Sequence, residues 1–165
     1  MIKIIEAQGV LFDKAEKLIK VVFPWMDLSE KMSFWIYRHQ RNPIARTLMR
    51  LTGISSLSSI WVAVNEDGDV CGTTGLYACI KDKNEAAWLS WFCVHPMQRG
   101  QGIGKKLIEF SIDKARASNK KFLRLYTSDD PNEAEAQSLY EKYGFKIVKE
   151  ERLRDYTVIY RELRL

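Results

Sequence analysis

Apolar residues recur at helical spacing from residue 10 onward: Leu11, Phe12, Ala15, Leu18, Ile19 and Val22 would share one face. Asp13 and Glu16 offer a capping box for that helix, and Pro24 a stop. Asp27 and Glu30 repeat the capping pattern ahead of a second helix that reaches about residue 38 and carries Met32, Trp35 and Ile36. Before both, residues 2–7 alternate weakly and predict a short strand. Residues 39–59 are the least regular part. With Arg38, Arg41, Arg46 and Arg50, then Gly53 and a serine-rich run over 55–59, they predict a short basic helix followed by a mobile loop.

From residue 60 the period shortens to that of strands. Residues 60–64 and 70–80 flank an Asn-Glu-Asp-Gly-Asp turn and predict a hairpin. Residues 87–94 predict a third strand, rich in aromatics. Ile103, Leu107, Ile108, Ile112 and Ala115 then mark a helix over 102–118, and residues 122–127 a strand behind it. A strand reached through a crossover helix implies a parallel β-α-β unit. Asp130-Pro131-Asn132-Glu133 reads as a helix start with cap, proline and acidic third position, and Gly144 as that helix's stop. Strands near 145–151 and 155–163 close the chain. No repeat or linker divides residues 1–165, which read as one domain with an α/β (α+β) fold: a mixed, mostly antiparallel sheet of six to seven strands flanked by helices.

Composition narrows the class. The 165 residues are 46% hydrophobic and 28% charged, which excludes disordered and fibrous chains. No apolar run reaches the length of a membrane span, and residues 1–6 read as a strand rather than a secretion signal. A net charge of +5 suits an anionic ligand without requiring one. Cys71, Cys79 and Cys93 form no CxxC pair, and His39 and His95 lie far apart. A zinc site, another metal site and a disulfide framework are therefore not expected, and the chain reads as a reduced, cytoplasmic protein. No RNA- or DNA-binding module is legible, although Arg38 to Arg50 could face an anion.

The chemistry concentrates between a strand and a helix, in Val94-His95-Pro96-Met97-Gln98-Arg99-Gly100-Gln101-Gly102-Ile103-Gly104-Lys105. Alternate glycines let the backbone turn tightly, and the first helical turn presents unpaired N–H groups at the positive end of the helix dipole. Together with Arg99 and Lys105 these make a cradle for phosphate oxygens. The loop is not a P-loop, because Lys106 holds the Ser/Thr place. It is not a dinucleotide fingerprint either, because Leu107 holds the third glycine's.

Arg99-Gly100-Gln101-Gly102-Ile103-Gly104 resembles the Arg/Gln-x-x-Gly-x-Gly/Ala signature of the GNAT superfamily of acetyltransferases. Leu139-Tyr140-Glu141-Lys142-Tyr143-Gly144-Phe145 is similar to its second signature, Leu-Tyr-x-Lys-x-Gly-Phe, about 40 residues on. The similarity spans roughly residues 88–147, and residues 25–59 carry none of it. The resemblance implies the GNAT fold with a central splayed parallel pair of strands, and acetyl-CoA as co-substrate. It further implies direct transfer of acetyl from the thioester to an amine acceptor that the sequence does not identify. It places Phe92, Cys93 and Val94 along the pantetheine arm, Arg99, Gly100, Gln101, Gly102, Ile103, Gly104 and Lys105 at the pyrophosphate, and Tyr140 beside the sulfur as general acid.

The chain departs from the family in two places. Several members carry a base, a Glu, on the strand matching 87–94, where this chain has no carboxylate. Glu85 precedes the strand and reads as a solvated turn residue, Asp130 as a helix cap, and the base is left unassigned. Many members also have an Asn seven residues before the tyrosine, where Glu133 stands here as a capping-box partner. A non-catalytic acyl-CoA-binding sensor or interaction module is therefore the alternative reading. Cys93 reads as a small buried side chain rather than a nucleophile, and His95 as a loop residue. Trp25, Trp35, Trp61, Trp88 and Trp91 all read as core rather than a substrate cage, with Trp35 and Trp91 the two to suspect of touching the acceptor. Tyr156, Val158 and Tyr160 could form a homodimer surface or simply complete the sheet.

Overall fold

A computed structural model describes all residues except Trp25 and Asp27, and only the backbone of Ser29, Glu30, Lys31 and Ser58. Seven strands, β1 (Lys3–Glu6), β2 (Ile54–Val64), β3 (Val70–Cys79), β4 (Ala86–Val94), β5 (Phe122–Ser128), β6 (Lys146–Arg152) and β7 (Thr157–Arg164), form one sheet in the order β1-β2-β3-β4-β5-β7-β6. Every neighbouring pair is antiparallel except β4–β5, the parallel pair that the crossover helix requires. The helices are α1 (Val10–Val22), α2 (Leu28–Arg38), α3 (Pro43–Leu51), α4 (Ile103–Ala117) and α5 (Ala134–Lys142).

Both sheet faces are covered, which is why β3 and β4 read as almost continuous apolar runs. Phe12, Ile19, Phe34 and Tyr37 of α1 and α2 pack with Ile60, Val62 and Cys93 on one face. Ile108, Ile112 and Tyr140 of α4 and α5 pack with Leu89, Leu123 and Leu125 on the other. A Leu- or Ile-sized side chain contributes about 1.5–3 kcal/mol when buried this way.

Three local expectations are corrected. Asp13 and Glu16 do not cap α1. The helix already begins at Val10 behind Gly9, and both carboxylates instead ion-pair with Arg38 of α2. The serine-rich run is strand, not loop: β2 starts at Ile54, and Ile54, Ser56 and Leu57 pair with Cys79, Ala78 and Tyr77. Long-range pairing with β3 overrides the weak strand preference of serine there, and Ser55 Oγ donates to the Ala78 carbonyl at 3.0 Å. Glu133 is no capping-box partner either. Residues Pro131–Glu133 form a 3-10 turn capped by Asp130, whose carboxylate accepts the Asn132 N–H at 2.7 Å. The Glu133 carboxylate turns back to the end of β5, accepting from the Thr127 hydroxyl and from Ser128 N (3.1 Å) and Oγ (2.8 Å). The proposed Asp27–Glu30 cap and the reading of Trp25 as core lie outside the described residues.

Candidate active site

The parallel pairing of β4 with β5 is short. Ala86, Ala87 and Trp88 pair with Phe122, Leu123 and Arg124, and there the ladder ends, although β4 continues to Val94 and β5 to Ser128. Beyond Trp88 the two strands diverge, leaving a gap walled by their facing edges. A bulge in β4 helps to open it. Thr73 pairs with Cys93 and Gly75 with Ser90, so β4 spends three residues where β3 spends two. Trp91 takes up the extra residue at φ 47, a left-handed conformation that costs a bulky residue about 1–3 kcal/mol. Packing of its ring against Phe34 (centroids 4.5 Å apart) and Phe23 (6.3 Å) offsets that cost.

The glycine-rich loop lies at the far end of β4. Gly100 and Gly102 adopt φ 75 and 76, with nothing within 4 Å of a would-be Cβ, so conformation alone requires glycine there. Gly104 differs. Its backbone is ordinary, and a Cβ would meet Leu139 at 3.4 Å and Val94 at 3.7 Å, so it serves the approach of α4 to α5 and β4. Lys106 is the first α4 residue whose N–H reaches a backbone carbonyl, that of Gly102 at 3.1 Å. The N–H groups of the preceding first turn have no intrahelical carbonyl partner. Ile103 contributes only backbone, because its side chain packs with Ala63, Cys71 and Leu107. The Gln101 side chain donates to Gln98 at 3.2 Å. Among the described residues, Arg99 lies 3.8 Å from Glu135 and Lys105 4.0 Å from Glu109.

The remaining expected site residues separate by sheet face. Phe92 turns toward α5, its ring 5.7 Å from that of Tyr140, and Val94 packs beside it near Ile103. Cys93 turns the other way and contacts Thr73 through sulfur at 3.2 Å; burial pushes its thiol pKa up to about 12. A thiol that is protonated at neutral pH is no nucleophile. Tyr140 is buried between Phe92 and Phe145, and burial raises its hydroxyl well above the ordinary tyrosine range. His95 accepts the Met97 N–H at 3.2 Å and caps a 3-10 turn over Pro96–Gln98. Trp35 is exposed beside His39.

Glu85 is not simply solvated. With Asp82 and Glu162 it surrounds Arg124, at 3.1, 2.7 and 2.7 Å respectively. Neither this cluster nor a hydroxyl pair between Tyr37 and Ser90, 2.8 Å apart, was legible in the sequence. Both join residues from distant segments of the chain, and no local spacing announces them.

The family model described as "Acetyltransferase (GNAT) domain" matches residues 56–147, more than half of the chain. The chain belongs to the GNAT acetyltransferases. The matched stretch runs from β2 through the gap and α5, so the GNAT match covers the parts just described. GCN5-related N-acetyltransferase 6, chloroplastic, from Arabidopsis thaliana is 30% identical over 92 residues, 56% of this chain. The chain spans about a quarter (26%) of that relative's length. Among solved structures, an acetyltransferase assigned to the GNAT family from Desulfovibrio desulfuricans superposes with a TM-score of 0.76 at 14% identity, over 99% of both chains. A GNAT-family acetyltransferase from Elizabethkingia anophelis with acetyl-CoA bound gives 0.66 at 19% identity, over 99% of this chain and 98% of that one. At these identities the likeness shows the GNAT fold.

Proposed function

We propose that this GNAT protein is an acetyl-CoA-dependent N-acetyltransferase that moves acetyl directly from the thioester to an amine. The observation that carries this reading is the β4–β5 gap between the unpaired N–H groups of the glycine loop and the α5 side, where Tyr140 packs against Phe92 of β4. The loop would take the pyrophosphate. The free edge of β4 would pair with the pantetheine amides as an added strand does. Residues 92–94 would line that arm, and a backbone N–H at the bulge would stabilise the oxyanion. The amine nitrogen attacks the carbonyl carbon, the C–S bond breaks, and Tyr140 protonates the departing thiolate. Phe92 and Phe145 hold the Tyr140 ring in place for that step. The three free cysteines support a reduced, cytoplasmic setting, and residues 1–165 would act as one domain.

The lack of a carboxylate on β4 favours one competing reading, a module that binds acyl-CoA without turnover. Calorimetric titration with acetyl-CoA and with CoA, followed by thiol release in the presence of primary amines, tests both. Micromolar binding with thiol release is the expected result. Binding without release for any amine supports the non-catalytic module, and no binding at millimolar ligand removes both readings.

A further inference from the structure

A second concave site lies toward the β1 side of the sheet, away from the β4–β5 gap. β1 stops at Glu6, opposite Trp61, while β2 extends past it to Ile54. The step between the two strands opens a cleft of about 470 Å³, within the range of small-molecule sites. Leu57 and Trp61 of β2 and Leu76 of β3 supply its apolar lining. The last turn of α4 forms one wall with Lys114, and the turn between α2 and α3 brings in Gln40 and Arg41. Gly102 opens α4 and Ser118 closes it, which sets the cleft roughly 20 Å along that helix from the glycine-rich loop.

Donors and positive charge dominate the lining. Arg41 and Lys114 both face the cleft, and neither has an ion pair among the described residues. Cations nearby in sequence are paired: Arg38 with Asp13 and Glu16, and Arg116 with Asp113. Lys114 instead holds its ammonium 5.7 Å from the centre of the Trp61 ring and 5.3 Å from that of Phe110, which keeps the charge at the cleft wall. Its place in the last turn also offsets the negative end of the α4 dipole. The Gln40 amide and the Trp61 indole N–H are further donors on lining residues. The carboxylate of the lining, Glu6, already accepts from the Ser59 hydroxyl, and the Ser118 hydroxyl donates to the Lys114 carbonyl at 2.9 Å.

We propose that this cleft binds a small organic anion, a carboxylate or phosphate carried on an aromatic body. The anionic oxygens would accept from the Arg41 guanidinium and the Lys114 ammonium. The aromatic body would lie against Leu57, Trp61 and Leu76, and burial of that surface adds to the affinity. A cationic ligand would meet two like charges and find only Glu6 to oppose them. The proposal stands apart from the acetyltransferase reading, since no residue of the gap or of the glycine-rich loop lines the cleft.

The test follows the indole N–H signal of Trp61 by NMR, assigned with Trp61→Phe, as phenyl phosphate or phenylacetate is added. Both should shift it with a Kd of about 1 mM or tighter, and the tighter of the two tells phosphate from carboxylate. Arg41→Gln and Lys114→Gln should each weaken binding by about tenfold. Glu6→Gln, which removes the like charge, should tighten it by about threefold. All three replaced side chains are exposed, so these variants should keep the fold. Saturating acetyl-CoA should leave the titration unchanged. No shift at about 10 mM of either anion would overturn the proposal. Equal shifts with benzylamine, benzyl alcohol or inorganic phosphate alone would do the same, as would affinities that ignore both cation substitutions. Competition by acetyl-CoA would place the anion at the glycine-rich loop and overturn it too.

Discussion

Tyr140 lies between two phenylalanine rings, so Tyr140→Phe keeps the packing and removes only the hydroxyl. If that hydroxyl protonates the thiolate, kcat should fall by about 10²-fold while acetyl-CoA affinity stays the same. Steady-state kinetics beside calorimetry checks both halves, and an unchanged kcat would remove Tyr140 from the chemistry. Cys93 gives a prediction of the opposite kind. Its folded pKa of about 12 lies above the unfolded value of about 8.5, so both states are protonated at lower pH. Across that window only the unfolded chain ionises, and folding stability declines as pH rises through it. Urea unfolding at stepwise higher pH should show the decline, and Cys93→Ala should make it shallower.

Among the elements, the junction of β4 with α4 does the most to make a site. Gly102 sits at φ 76 with open space around it, so Gly102→Ala meets conformational strain rather than a clash. The left-handed conformation costs a residue with a Cβ roughly 1–2 kcal/mol. Relief of that strain would turn the following N–H groups away from the cradle. Acetyl-CoA affinity should drop about tenfold with the circular dichroism spectrum unchanged, and unaltered affinity would mean that the cradle is not the phosphate site. Much of this element was legible in advance. The glycines, the helix face of Ile103, Leu107 and Ile108, and the Tyr140 signature are all local patterns. The bulge at Trp91 was not, because it exists only as a mismatch between the β3 and β4 registers. Nor was the role of Glu133, whose spacing imitates a cap while its carboxylate reaches back to β5.

For the molecule as a whole, the gap is a weakness in the middle of the sheet that a ligand can close. An acetyl-CoA molecule pairing with β4 would bridge the glycine loop and the α5 side, and it would bind the folded state alone. At a hundredfold excess over Kd it should add about 2.7 kcal/mol, or roughly 5–10 °C in Tm for a chain of this size. Thermal melts with acetyl-CoA and with a phosphate control distinguish this bridging from simple anion binding, which would raise Tm equally in both.

Local pattern determined the order of strands and helices from residue 60 onward, the parallel crossover and the glycine-rich loop between β4 and α4. Hydrophobic period, helix-end chemistry and glycine placement each act within a few residues of sequence. Tertiary structure alone decided that the serine-rich run joins the sheet, that Asp13 and Glu16 hold Arg38, and that Tyr37 meets Ser90 across 53 positions. Those outcomes depend on which distant segment offers a partner, and pairing energy between remote strands outweighs the local preference of any single residue.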